Sequence, residues 1–282
     1  MKVFKVDLYE YFGLERGNAK GGILTCFVHE NSPEICLNRL YPARVVFPGG
    51  GYAFCSDREA EPIAVSYYAN GFNSYLLHYS LAPDVSYPVQ LCEAAMAIAY
   101  VRRNSKEQFT NIEKIATIGF SAGGHLCGNI ATGFATPVIE ERTGIKPSEA
   151  RPNAAVLSYA VISSASGVSG MTFNNLCGMD PKILPFVEID QCVTKDTPPL
   201  FIWHTKNDGC VIIENALKVA VAANKNGVPF EMHVFQNGPH GISLCDESVY
   251  NSSAVPEQSA STIEWFKLSV SWLKDNGFFY KD

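Results

Sequence analysis

Four short stretches of this 282-residue chain carry side chains that could do chemistry together. The first is Gly119-Phe120-Ser121-Ala122-Gly123, followed by Gly124 and His125. An apolar run from Ile115 to Ile118 leads into it, and a helix-like run from Leu126 to Thr132 leads out. Strand, sharp turn and helix in that order lift a serine clear of a sheet, with glycines leaving room for the tight backbone. The helix then aims its amides and positive dipole end back at the serine, where an oxyanion could be held. Alone, the pattern also describes a glycine-flanked turn without chemistry, so its meaning depends on partners elsewhere in the chain.

A serine hydroxyl is a poor nucleophile at neutral pH and needs a base within hydrogen-bond reach. Six histidines are available. His29 and His233 fall within strands and His78 and His204 near strand ends. His125 starts the helix after Ser121, where a packing or polar-network role is expected. His240 stands apart in Asn237-Gly238-Pro239-His240-Gly241, a loop after the last strand whose backbone freedom can set an imidazole over the sheet edge. The base needs an orienting carboxylate. Asp208, in His204-Thr205-Lys206-Asn207-Asp208-Gly209, is the acid between Ser121 and His240 placed directly after a predicted strand. Such sheets build their sites beyond the carboxyl ends of their strands. Asp180, Asp190 and Asp196 are the reserve candidates, and a plain turn aspartate is the bland alternative for Asp208. The order serine, acid, histidine, each at a strand end, selects Asp208.

The last stretch is Pro48-Gly49-Gly50-Gly51-Tyr52, after the apolar Ala43 to Phe47. Amides of Gly50 and Gly51, with that of Ala122, are expected to form an oxyanion hole; the alternative is a flexible turn. Tyr52 is expected to contact substrate.

The elements that must hold these groups alternate along the chain. Strands are expected at Val3 to Leu8, Ile23 to His29, Ala43 to Phe47, Phe72 to Tyr79, around Ile115, at Ala154 to Ile162, Leu200 to His204 and Phe230 to Phe235. Ser56-x-x-Glu59 reads as a capping box before a helix that stops at Asn70-Gly71. Leu91, Ala94, Ala95, Ile98 and Val101 recur at helical spacing opposite Glu93 and Arg103. Further helices are expected at Glu214 to Asn226 and Thr262 to Leu273. The alternation implies a mostly parallel sheet covered on both faces, formed by residues 1–282 as a single domain. Two lid-like inserts, at about 133–152 and 163–198, interrupt the rhythm. The second is either a self-packed satellite or a cover for an acyl pocket.

Apolar residues make up 47% of the chain and charged residues 18%, enough for a large core. A net charge of −6 without a Lys/Arg cluster argues against nucleic acid. The nine cysteines form no C-x-x-C pair, and their odd count reads as reduced thiols. Early charges in the first seven residues argue against a signal peptide, and the uncharged stretch 153–179 turns to Ser, Gly and Asn in its second half rather than spanning a membrane. A cytoplasmic protein is expected.

The chain resembles the α/β-hydrolase esterases, in particular the acetyl-esterase and carbohydrate-esterase-like branch of the hormone-sensitive-lipase group. The likeness covers roughly Ala43 to Leu244 and rests on the Pro48–Tyr52 run, Tyr79-Ser80-Leu81-Ala82-Pro83, the serine turn, the Asp208 loop and Pro239-His240-Gly241. Pro48 stands where the family often has histidine, Ser80 where arginine is common, and Val211-Ile212 where Val-Pro is usual. The resemblance implies an α/β-hydrolase fold and a serine carboxylesterase acting on short acyl, acetyl-type esters, including those of acylated sugars. No metal or cofactor is implied. The expected partner is a small-molecule ester, with no nucleic acid or membrane and with a homo-oligomer left open. Some relatives are called xylanase-like, but glycosidic cleavage needs a carboxylate pair flanking the sugar, which no motif here supplies. An amidase or formamidase on the same triad is the alternative, and a non-catalytic small-molecule receptor a more distant one.

Overall fold

The computed structural model describes residues 1–166, 170–251, 255–258 and 260–282. Its elements run β1 (Lys2–Asp7), α1 (Leu8–Phe12), β2 (Ile23–Val28), β3 (Tyr41–Phe47), α2 (Glu61–Ala69), β4 (Asn73–His78), α3 (Val89–Arg103), β5 (Thr110–Phe120) and α4 (Ala122–Gly133). They continue with α5 (Pro137–Thr143), α6 (Pro147–Ala150), β6 (Ala154–Ser158), α7 (Gly170–Cys177), α8 (Ile189–Cys192), β7 (Leu200–Thr205), α9 (Glu214–Lys225), β8 (Phe230–Phe235) and α10 (Trp265–Asp275). The eight strands make one sheet in the order β1-β2-β4-β3-β5-β6-β7-β8. β1 and β2 join antiparallel, and every pairing from β4 through β3 to β8 is parallel.

The strand period of two sorts apolar side chains onto two faces. Val45 joins a core with Leu91 and Ile98 of α3, Leu126 of α4 and Val219 of α9. Its neighbour Val46 joins the opposite core with Ile63 and Tyr67 of α2 and Trp265 and Leu273 of α10. Each fully buried Val, Leu, Ile or Phe contributes about 1.5–3 kcal/mol, so the helices are held chiefly by these faces. On the second face Trp265 stacks on Trp203 at 4.6 Å and donates its indole N–H to Ser243 O at 2.9 Å. That bond ties α10 to the loop after β8. Among the described residues no helix is long and apolar enough to cross a membrane.

Several local expectations change. Asp7 caps α1, accepting from the amides of Tyr9 and Glu10, and Gly13 ends it; this short helix occupies part of what reads as a simple β1–β2 turn. β6 stops at Ser158 because Tyr159 turns at φ +35, leaving the Val161 amide to bond Ser121 O. α3 is buried nearly all round, Glu93 included, and that carboxylate accepts from Tyr9 O–H and from the amide and hydroxyl of Ser80. Ser56 makes no capping bond, and Glu59 turns inward instead of closing a capping box. In α10 Trp265 and Trp272 are buried, while Ile263, just before it, is exposed.

The two inserts differ. Residues 133–152 form α5 and α6, which brace α3: Arg102 donates to Glu149 O and Arg151 O, and Arg103 pairs with the Glu149 carboxylate. The second insert carries α7, whose Asn175 donates to Gly51 O at 2.8 Å. Its residues 167–169 lie outside the described residues.

Candidate active site

Ser121, Asp208, His240 and Gly49–Gly51 meet at the carboxyl ends of β5, β7, β8 and β3. Ser121 sits between β5 and α4 at φ +53, ψ −117, a conformation costly for any residue with a side chain. Such a bend needs close approach: a Cβ on Gly123 would sit 2.2 Å from Phe47 O. Glycine there lets the start of α4 press on the end of β3.

His240 Nε2 lies 2.8 Å from Ser121 Oγ, and His240 Nδ1 lies 2.7 Å from Asp208 Oδ2. An ionised carboxylate only accepts, so Nδ1 carries the proton and Nε2 keeps its lone pair toward the serine hydroxyl. Asp208 is itself fixed: Oδ1 accepts from the amides of Cys210 and Val211, each at 2.9 Å. Its side chain is 1% exposed and that of His240 20%, so the acid is sheltered and the imidazole reachable. The geometry permits a proton to pass from Ser121 to His240 while Asp208 holds the ring.

In the glycine run, the Gly49 amide donates to Glu59 Oε2 at 2.9 Å. Among the described residues no backbone or side-chain acceptor takes the amides of Gly50 or Gly51. The Ala122 amide is the first of α4 and has no intrahelical partner. Gly50 has φ +127, and a Cβ there would lie 2.1 Å from Phe54 O, so the turn that leaves these amides free requires glycine. A cavity of about 340 Å³ opens above Ser121 and His240, walled by Phe54, Arg58, Val161, Met171, Cys210 and Val211.

Tyr52 does not reach this cavity. At φ +60 it turns inward, is wholly buried, and its hydroxyl lies 2.8 Å from His125 Nδ1. The expected substrate contact is therefore corrected to a support behind the cradle. His125 Nε2 lies 2.7 Å from Val187 O, which can only accept, so Nε2 bears the proton and Nδ1 takes the Tyr52 hydroxyl hydrogen. Burial holds the His125 pKa down to about 4.

Two participants were not read from the sequence. Glu59 forms part of the cavity floor and accepts from Tyr159 O–H at 2.7 Å as well as from Gly49. Its Ser-x-x-Glu spacing signals a cap and hides this role. His204, at the end of β7, donates Nε2–H to Val211 O at 2.7 Å and lies 3.6 Å from Asp208 Oδ2. It braces the Asp208 loop, and burial lowers its pKa. The i, i+4 spacing of His204 and Asp208 across a strand end was the available signal.

The BD-FAE family profile matches residues 36–222, and that of the prolyl oligopeptidase family matches residues 185–271. A solved acetyl ester-xyloside bifunctional hydrolase from Caldicellulosiruptor lactoaceticus superposes with a TM-score of 0.77 at 32% identity, covering 91% of this chain and 89% of that one. Endo-1,4-beta-xylanase B of Butyrivibrio fibrisolvens is 30% identical over 76% of this chain and 34% of its own length. An acetylxylan esterase of Xylanibacter ruminicola is 27% identical over 78% of this chain and 44% of its own length. The chain thus spans less than half the length of these curated relatives. With the sheet order, the serine turn and the profile match in agreement, the chain belongs to the BD-FAE family and has the α/β-hydrolase fold.

Proposed function

We propose that this chain is a serine carboxylesterase acting on short acyl esters, acetyl groups on sugars among them. The observation that carries the reading is the continuous hydrogen-bonded row Ser121–His240–Asp208, facing a cavity beside three amides that have no acceptor among the described residues. His240 Nε2 takes the Ser121 proton as Oγ attacks the ester carbonyl, and Asp208 stabilises the imidazolium. The amides of Gly50, Gly51 and Ala122 receive the oxyanion as it forms. His240 returns the proton to the leaving alkoxide, giving the alcohol and an acyl-Ser121. Water, deprotonated by the same nitrogen, then releases the carboxylic acid. A cavity of about 340 Å³ lined by Phe54 and Met171 favours a short acyl chain, and the acetylxylan esterase relative favours a sugar alcohol.

In purified protein Ser121→Ala is expected to abolish p-nitrophenyl acetate hydrolysis and labelling by a fluorophosphonate probe. Wild-type activity in that variant would mean that the nucleophile is another residue. Rates on acetyl, butyryl and octanoyl esters should fall in that order. Amide cleavage is the second reading, favoured by the prolyl oligopeptidase match, because an acyl-enzyme serves both leaving groups. Faster turnover of acetyl or formyl anilides than of the matching esters would select it.

A further inference from the structure

Glu59 is a buried acid that the triad chemistry does not use. It lies on a single 3-10 turn, Asp57–Glu59, and is 2% exposed. Its carboxylate is wedged between two loops that are remote in sequence. On one side Oε2 accepts the Gly49 amide, and a Cβ on Gly49 would lie 2.5 Å from that oxygen and 3.0 Å from Ser121 Cβ. On the other, Oε1 accepts the Tyr159 hydroxyl hydrogen, and a Cβ on Gly241 would lie 3.9 Å from Oε1.

Tyr159 carries the connection onward. Its hydroxyl accepts the Ser243 amide at 3.0 Å, and its ring meets the His240 ring edge-to-face at 5.2 Å. Through Tyr159, one carboxylate therefore joins the oxyanion cradle to the segment that directly follows the base. Both of its partners donate to it, which is the pattern of an ionised acceptor. Burial pushes its pKa up, while the bonds from Tyr159 and Gly49 and the charges of His240 and Arg58 pull it back. Tyr79, Cys55 and Tyr250 also lie within its field.

We propose that Glu59 is a positioning residue for the esterase reaction. Its carboxylate clamps the Gly49–Gly51 cradle to the His240 loop, and its negative charge supports, beside Asp208, the imidazolium that forms on attack. The inference rests on the triad reading above. The first role sets the distance between oxyanion donors and base, a quantity on which rate depends steeply. The second stabilises the positive charge that the attack places on His240, since an opposite charge nearby favours the charged form.

The test is steady-state kinetics on p-nitrophenyl acetate between about pH 5 and 9 with Ser121→Ala, Glu59→Gln and Tyr159→Phe beside the wild type. Glu59→Gln is expected to lower kcat by about 10- to 100-fold with KM nearly unchanged. The acid limb of its kcat/KM profile should move to lower pH, because His240 loses a neighbouring negative charge. Tyr159→Phe keeps the charge but cuts the tie, so kcat should fall while the limb stays. The double variant should be no slower than the worse single one, as expected of two members of one network. A Glu59→Gln enzyme with kcat within about twofold of wild type and an unmoved limb overturns the proposal. Should Glu59→Gln fail to fold, judged by circular dichroism, a Tyr159→Phe enzyme with unchanged kcat overturns it instead. An active Ser121→Ala protein would sink the triad reading itself; an inactive one beside a normal Glu59→Gln enzyme sinks the Glu59 inference alone.

Discussion

His125 and His240 both stand beside the serine turn, and they are opposite kinds of histidine. His125 lies in α4, four residues after Ser121, with its own amide bonded to Ser121 O at 3.0 Å. Its ring is fully buried, and both ring nitrogens are consumed, by Val187 O and by the Tyr52 hydroxyl. His240 is 119 residues away in sequence, on a loop, and partly exposed. One of its nitrogens is held by Asp208 and the other faces Ser121 Oγ. Nearness to Ser121 along the chain therefore does not bring a free ring nitrogen to its hydroxyl. His240, remote in sequence, does so, with a carboxylate that fixes its tautomer.

The largest effect that could break this contrast is on turnover. His240→Gln removes the proton acceptor and should cost about 10⁶-fold in kcat, leaving the cradle's contribution of about 10³- to 10⁴-fold over water and a nearly unchanged melting curve. His125→Gln should do the reverse. Loss of its buried hydrogen bonds is expected to cost about 1–3 kcal/mol of stability, with kcat within about tenfold of wild type. Paired measurements of kcat and urea unfolding check both. A folded His125→Gln protein as inactive as His240→Gln would show that the two rings are not so different.

A second, smaller effect is on the pH dependence of stability. The folded pKa of His125, about 4, lies below its unfolded value of 6.5. Between those two values the unfolded chain binds the extra proton, so stability rises with pH across the window. It is fully present above the unfolded value and is lost as pH falls toward the folded one. A gap of that size is worth about 3 kcal/mol. His29, His78 and His204 are also lowered by burial and add in the same direction, whereas buried Glu59 and Glu93, raised by burial, act oppositely. The informative quantity is consequently a difference. Urea midpoints at about pH 7 and pH 4.5 should diverge more for wild type than for His125→Gln. Equal slopes would mean that His125 is not buried neutral.

The same contrast explains what could be read from the sequence. The meeting of Ser121, Asp208 and His240 was legible because each follows an apolar strand and has a glycine within two residues, so local chain chemistry marks them. The strand and helix alternation was legible for the same reason. Glu59, Glu93 and Tyr52 were not. Spacing made Glu59 a cap and Glu93 the polar side of α3, yet both carboxylates are buried against donors contributed by distant segments. No one-dimensional period encodes a partner such as Tyr159, 100 residues on. Tyr52 looked like a substrate contact because it adjoins the cradle, but a positive φ turns it inward onto His125. The early end of β6 was hidden likewise, since apolar residues continue to Ile162 while the backbone leaves the sheet at Tyr159.

The smallest expected effect belongs to Tyr52, whose hydroxyl supports His125 behind the cradle. Tyr52→Phe keeps the ring, which meets Tyr79 and His125 edge-to-face, and removes only the hydroxyl. The Nδ1 atom of His125 is then left buried without a donor, a loss of about 1–2 kcal/mol. A relaxed His125 has no route to solvent, because its Nε2 remains tied to Val187 O in the fully buried interior. The variant should therefore unfold at lower urea while KM for p-nitrophenyl acetate stays within about twofold of wild type. A several-fold rise in KM with unchanged stability would return Tyr52 to the substrate side of the cradle and place its hydroxyl where the buried geometry does not.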